Sequence, residues 1–423
     1  MERPTPDGVR YQPTINIEKA PRIVAPILYV GTAYGFLGLA ALLSINYAPW
    51  LARGDYGYPL VIMMVHFFTL GFLSMTAMGI LNQWIPVVFD VEPLRVRRVI
   101  VNFLLYLVGL LTFEWGFQQH EWGVLAVGGS LLALAILAWS AGVLGQLHRS
   151  SKPHDVVYRG IQSAVLGFNL VWVLGVFMAL AFLGWWPEYQ VLRVHIATAL
   201  AAWMGLLILT VQQKLNPMFS MSRAEGVNFA LPMVLAGGGV LLAWASLVTS
   251  PLLIRVGGGL WVGTAVFAGI QLVRVLKQGK SKTFDRVFVG VGAAWLLFLA
   301  AAILTVWLNP LAVLVAFWGM LTLILSYQTR ILPFMVALVV AKRLPGPVFK
   351  AFFMAQAMHS KNQPVIVAVL GLAGAALSVA GRLKGAPAFD AVSGTIILLL
   401  IASQIVNGAL SMAQGRKRAP ARP

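Results

Sequence analysis

Two apolar runs each carry a histidine near one end. His66 lies in "VIMMVHFFTLGFLSMTAMGILNQWIPVVF" (Val61 to Phe89), and His195 opens a second run that ends "QQKLNPMF" (Gln212 to Phe219). An imidazole in hydrocarbon is costly to keep without a partner. Such a ring can hydrogen-bond a neighbouring helix, sit in the membrane interface, or give a nitrogen to an iron or copper ion. His66, less than two turns below Pro59, favours the ligand reading. His195, beside Arg193 and the short "PEYQ" loop, suits ligation and interfacial placement alike.

The remaining polar candidates have plainer explanations. His148 and His154, in "HRSSKPHD", belong to a short basic loop that reads as solvated. His120, in "QQHEW", reads as a loop residue. His359, in "FKAFFMAQAMHSKNQ", fits an interfacial amphipathic helix flanked by Lys350 and Lys361. Glu114, in "TFEWGF", is an acid well inside an apolar run; it could serve a proton path or partner an arginine. Arg330 and Lys214 are expected to snorkel to the membrane surface. Met63 and Met64 read as packing residues.

The elements that must position these side chains follow from composition. The chain is 59% hydrophobic and 10% charged, with a mean hydropathy of +0.83. A soluble globule would be about 25% charged. Twelve apolar runs long enough to span a bilayer are legible, at about 25–49, 59–89, 99–118, 123–147, 160–186, 191–217, 228–249, 252–275, 286–308, 310–340, 364–381 and 389–413. The expectation is a single all-α membrane domain over 25–413, preceded by a polar cytoplasmic lead-in (1–24) without signal-peptide features and followed by a basic tail (414–423).

A net charge of +18 raises nucleic acid as a partner, but its distribution excludes the need for one. With the N-terminus inside, 26 of the 31 Lys and Arg fall on the inner side, and only Arg53, Arg193, Arg255, Arg382 and Lys384 fall outside. That asymmetry predicts both termini in the cytoplasm and basic loops against anionic membrane lipid. The chain contains no Cys, which excludes disulfides, thiolate metal sites and iron–sulfur ligation.

A repeat organises the runs. "NQWIPVVF" ends the second, "QQKLNPMF" the sixth, and "YQTRILPF" (Tyr327 to Phe334) lies in the tenth, so a polar cluster, a proline and a phenylalanine recur every four spans. Three pseudo-repeated four-helix units are expected. His66 precedes Pro86 by 20 residues and His195 precedes Pro217 by 22, which places both about 30–33 Å from the proline. The matching region of the tenth run, Leu311 to Val313, has no histidine.

Twelve spans, both termini inside, three four-helix units and a histidine near the outer end of the second span resemble the catalytic subunit of heme–copper oxidases and nitric oxide reductases. The resemblance implies a b-type heme with His66 as its axial ligand. It implies copper or an equivalent metal at His195, and heme propionates paired with Arg382 and Lys384. It further implies a bacterial plasma membrane location, respiratory subunits or an electron donor as partners, and oxidoreductase chemistry with oxygen or nitric oxide. The departures are specific. The seventh and tenth spans lack the family's four other metal-binding histidines, and Ala199 stands where many oxidases carry a tyrosine. The chain thus resembles a divergent member, close to oxidase-like or NnrS-like proteins, and is not expected to reduce dioxygen at oxidase rates by itself. A secondary transporter and a metal-free scaffold of a respiratory complex are the competing functions.

Overall fold

A computed structural model describes residues 19–152, 154–182, 188–222, 226–247, 250–279, 284–341 and 360–418. Most of the lead-in, His359 with its expected interfacial helix, and the last residues of the tail lie outside these. All regular structure among the described residues is helical. This is what hydrocarbon demands, since a helix satisfies its own backbone polar groups.

Among the described residues, eleven helices are long and apolar enough to cross a membrane. In chain order they are α1 (Val24–Asn46), α2 (Pro59–Phe89), α3 (Val96–Gln119), α4 (Trp122–His148), α5 (Val156–Phe182), α6 (Val191–Ser220), α8 (Leu252–Lys277), α9 (Val287–Val306), α10 (Leu311–Ala341), α11 (Gln363–Lys384) and α12 (Pro387–Arg418). Between α6 and α8 lies α7 (Ala230–Ala245), whose 16 residues extend about 24 Å, less than the hydrocarbon thickness of about 30 Å. The sequence predicts a longer run here. It starts two residues later than expected, where polar groups hold the preceding amides (Asn228 N donates to Gln271 Oε1, Phe229 N to Gln213 Oε1 and Ala230 N to Asn228 Oδ1), and it ends at Ala245. A short helix, Ala48–Arg53, connects α1 to α2.

Packing repeats three times. The second helix of each unit contacts the first, third and fourth helices of its own unit: α2 with α1, α3 and α4; α6 with α5, α7 and α8; α10 with α9, α11 and α12. The fourth helix of each unit then packs on the first of the next, as α4 on α5, α8 on α9 and α12 on α1. The chain therefore closes into a ring of three units. Leu134, Leu241, Leu296 and Ile405 remain exposed on its periphery, the outward apolar face that lipid would cover.

The three repeat helices, α2, α6 and α10, are the most buried and touch one another pairwise. Trp203 Nε1 donates to Ser74 Oγ (3.1 Å), Tyr327 OH donates to Asn216 Oδ1 (2.6 Å), and the rings of Phe68 and Phe317 lie 5.3 Å apart. The polar residues of the repeat motif mainly tie helices together. Asn82 accepts from Trp139, Gln212 from Trp295, and Gln328 from Tyr34. Buried amides without such partners would each cost a desolvation penalty of about 1–3 kcal/mol.

One expectation needs correction here. Arg330 does not snorkel. Its side chain is buried, bonded to Asp285 at 2.7 Å, and its guanidinium lies over Phe219 at 5.4 Å. Asp285 also accepts from the Val287 amide, so one carboxylate starts α9 and holds α10. Burying the charge works because its partner is fixed by the same chain turn. Lys214, by contrast, stays half-exposed beside Asp155 at 3.6 Å.

Candidate functional site

α2 and α6 share an unusual construction. Each begins as an α-helix, widens into eight residues of π-helix, Phe67–Ser74 and Thr198–Gly205, and returns to α-helix through a proline to its end. The Met75 amide reaches back five residues to Leu70 O, and the Leu206 amide to Ala201 O. Leu70 O also accepts from Tyr106 OH of α3 (3.1 Å), which shows how a wide turn offers a carbonyl to a neighbour. Each helix stops at a residue with positive φ, Asp90 and Met221, whose amide bonds the carbonyl of Pro86 or Pro217. Wide π turns concentrate at functional sites. α10 keeps the proline, Pro333, but is α-helical throughout.

The same interval separates Phe67 from Thr198, Pro86 from Pro217, and Asp90 from Met221. At that interval His66 matches Ala197, and His195 matches Met64. The two histidines thus occupy positions two residues apart on matched helices, about 200° around the helix axis from each other. Their surroundings agree with this. His66 turns to the helix that follows its own: its ring stacks on Phe117 at 5.5 Å and meets Phe113 edge-on at 5.2 Å, both from α3. His195 turns to the helix that precedes its own, against Val171 and Gly175 of α5.

Glycines set these distances. α4 lies close on α3 because Gly128 has no side chain; a Cβ there would stand 2.2 Å from the Phe113 amide nitrogen. This close approach fixes Phe113 and Phe117 against His66. Around the π turns the small and large partners are exchanged: Gly71 of α2 faces Phe36 of α1, whereas Gly167 of α5 faces Ala202 of α6. Gly175 leaves room for the His195 ring, whose Cε1 lies 3.9 Å from where a Cβ would be.

The two imidazoles are near enough to interact electrostatically. Nδ1 of each is buried without a well-formed hydrogen bond, although backbone at Ile62 and Val171 lies within hydrogen-bonding reach of the His66 and His195 rings. A buried, unpaired ring nitrogen is an unmet requirement that an exogenous ligand, a metal or a water can meet. Glu114, on α3 between the two phenylalanines that hold His66, is 2% exposed, and neither of its carboxylate oxygens has a partner. Of the two readings of Glu114, a proton path or an arginine partner, the arginine partner is not found among the described residues.

The other predicted residues fall elsewhere. Arg382 Nη1 donates to Ala52 O, its guanidinium covers Gly54, and Tyr56 and Asp390 lie within its electrostatic reach. Lys384 stands over the Phe389 ring at 5.5 Å. Both occupy the end of α11, where Arg382 braces the connection from α1 to α2 and Lys384 faces the start of α12. His120 caps α3 in an exposed turn, and His148 ends α4 at the surface. His154 stacks on Tyr158 at 4.0 Å. These three behave as the surface residues the sequence predicts. What sequence reading misses is the support: Phe113, Phe117, Gly128 and Gly175. Only the spacing of Phe113 and Phe117, one helical turn apart around Glu114, signals a shared face.

Among the described residues no group of three or more His, Cys, Asp or Glu is arranged to hold a metal ion. Imidazole is a donor type that a heme iron takes once or twice as an axial ligand. Two imidazoles fall short of a copper held by several histidines. No family model matches the chain, and no curated protein matches it in sequence.

Proposed function

We propose that this protein is a heme-binding membrane protein in which His66 is an axial iron ligand and His195 provides a second contact to the same group or to a separate ion. The observation that carries the reading is a pair of buried imidazoles, near enough to interact electrostatically, each with Nδ1 unpartnered and each beside one of two matched π turns. Phe113 and Phe117 orient the His66 ring, and Gly175 leaves the His195 ring its space. A heme would supply one-electron redox chemistry and a site for a diatomic gas. Respiratory electron transfer or nitric oxide and oxygen chemistry is the fitting role, with an electron donor or respiratory subunit as partner. The ligand set argues against a complete terminal oxidase.

The proposed setting is a bacterial plasma membrane, with α7 as a short twelfth span and both termini in the cytoplasm. The concentration of Lys and Arg at the proline ends of the repeat helices supports that orientation. Acid–acetone extraction followed by pyridine hemochrome analysis tests the cofactor. About one heme b per chain is expected, and no extractable heme after expression with heme precursor would overturn the assignment.

One observation favours a second reading. Glu114, buried with both oxygens unpartnered, has the setting of a proton-carrying group in a transporter. Proton uptake by sealed proteoliposomes that Glu114→Gln abolishes, in a preparation lacking heme, would favour transport.

A further inference from the structure

A pocket of about 330 Å³ opens at the proline end of the first unit, between α3, α4 and the inner turns of α1 and α2. Its rim carries Arg95, Arg97 and Arg98, all exposed, at the N-terminus of α3. The first amides of that helix lack intrahelical partners and point toward the same end, so dipole and guanidinium groups favour an anion together. The acid on the preceding loop, Glu92, is already paired with Lys19. Arg98 makes one long bond, 3.3 Å, to Ala138 O.

The base of the pocket supplies the independent observation. Asn82 lines it and is 6% exposed; its Oδ1 accepts from Trp139 Nε1, but its Nδ2 has no partner. The other amide at the base is satisfied, since Asn102 accepts from Tyr29 OH and donates to Ala135 O. One buried, unpartnered donor therefore belongs to the lining of a pocket whose rim carries three cations. The wall between rim and periphery is apolar: Leu105 lines the pocket, and Val101 continues onto the exposed outer face of α3.

We propose that this pocket binds the phosphodiester headgroup of an anionic phospholipid. The arginines and the first amides of α3 would hold the phosphate, Asn82 Nδ2 would donate to a headgroup oxygen, and an acyl chain would run along Val101. Free phosphate shares the anionic chemistry, but it has no use for the apolar wall that leads out to the lipid face. A lipid meets both halves of the pocket.

Native mass spectrometry of the full chain released from micelles, with added phosphatidylglycerol, phosphatidylcholine or inorganic phosphate, tests the site. Phosphatidylglycerol should be retained selectively. The Arg95→Gln/Arg97→Gln/Arg98→Gln variant should retain it about tenfold less or weaker still, whereas Arg274→Gln/Lys277→Gln, an equally exposed basic pair on α8, should retain it normally. Asn82→Asp keeps an acceptor for Trp139 while replacing the donor with a negative charge, so it should also lose the lipid with the fold intact by thermal melting. Equal losses in the α3 and α8 variants would show nonspecific attraction to basic loops and overturn the proposal. So would undiminished retention by Asn82→Asp, or competition by inorganic phosphate equal to that of the lipid.

Discussion

His195 sits where the repeat would place Met64, two residues from the counterpart of His66, and this offset turns the two imidazoles toward opposite neighbours within their units. One faces α3 and the other faces α5, yet they remain electrostatic neighbours across the boundary between the first and second units. Register within a shared π-turn frame decides which neighbouring helix a ligand meets.

The offset makes a direct prediction. Where His195 contacts the same heme as His66, His195→Ala should shift or weaken the heme bands, and adding Ala197→His, the position that formally matches His66, should not restore them. The transplanted ring would point about 200° away from the original. Restoration by the double variant, read from the visible spectrum, would show that register does not matter.

Gly175 should tolerate alanine and reject leucine. A Cβ there meets His195 Cε1 at 3.9 Å, an ordinary contact, but a branched side chain must displace the ring. Gly175→Leu should shift the bands as His195→Ala does, with a stability loss of about 1–3 kcal/mol from overpacking. Identical spectra for wild type and Gly175→Leu would count against a role for His195.

The Arg330–Asp285 pair should be sensitive to removal of either partner alone. Asp285→Ala leaves a buried guanidinium over Phe219 without its carboxylate and should destabilise by about 3–5 kcal/mol. Arg330→Met combined with Asp285→Leu should recover much of that loss. Thermal melting in detergent reads both, and a melting temperature for Asp285→Ala equal to wild type would contradict the assignment.

Much of this architecture is legible in the sequence because hydrocarbon leaves the backbone few choices. Long apolar runs must be helices, and eleven appear close to their expected places. The repeat is legible because "NQWIP", "QQKLNP" and "YQTRILP" place polar anchors and a proline at matching depths, and the anchors bond neighbouring helices. The start of α7 is less legible, because it depends on Gln213 and Gln271 from other helices. Arg330 misleads for the same reason: snorkelling is the default for an isolated cation, and only tertiary structure brings Asp285 and Phe219 to it. The π turns and the face of each histidine are illegible from composition, since one inserted residue in a turn rotates everything beyond it by about 100°.

Reporter fusions test the orientation that places the histidines toward the outside. Fusions after Gly57, Trp122 and Lys384 should report outside, and fusions after Lys152 and Lys280 inside. Reversed signals would invert the bundle and place the proline ends, with their arginines, at the outer surface.

The reduced-minus-oxidised visible spectrum of the detergent-purified protein, taken side by side with His66→Ala and His148→Ala, tests the central claim most directly. A Soret band with alpha and beta bands on reduction is expected for wild type and for His148→Ala, and its loss or marked shift for His66→Ala. A featureless wild-type spectrum, or bands of equal intensity and position in wild type and His66→Ala, would contradict the claim that His66 ligates a heme.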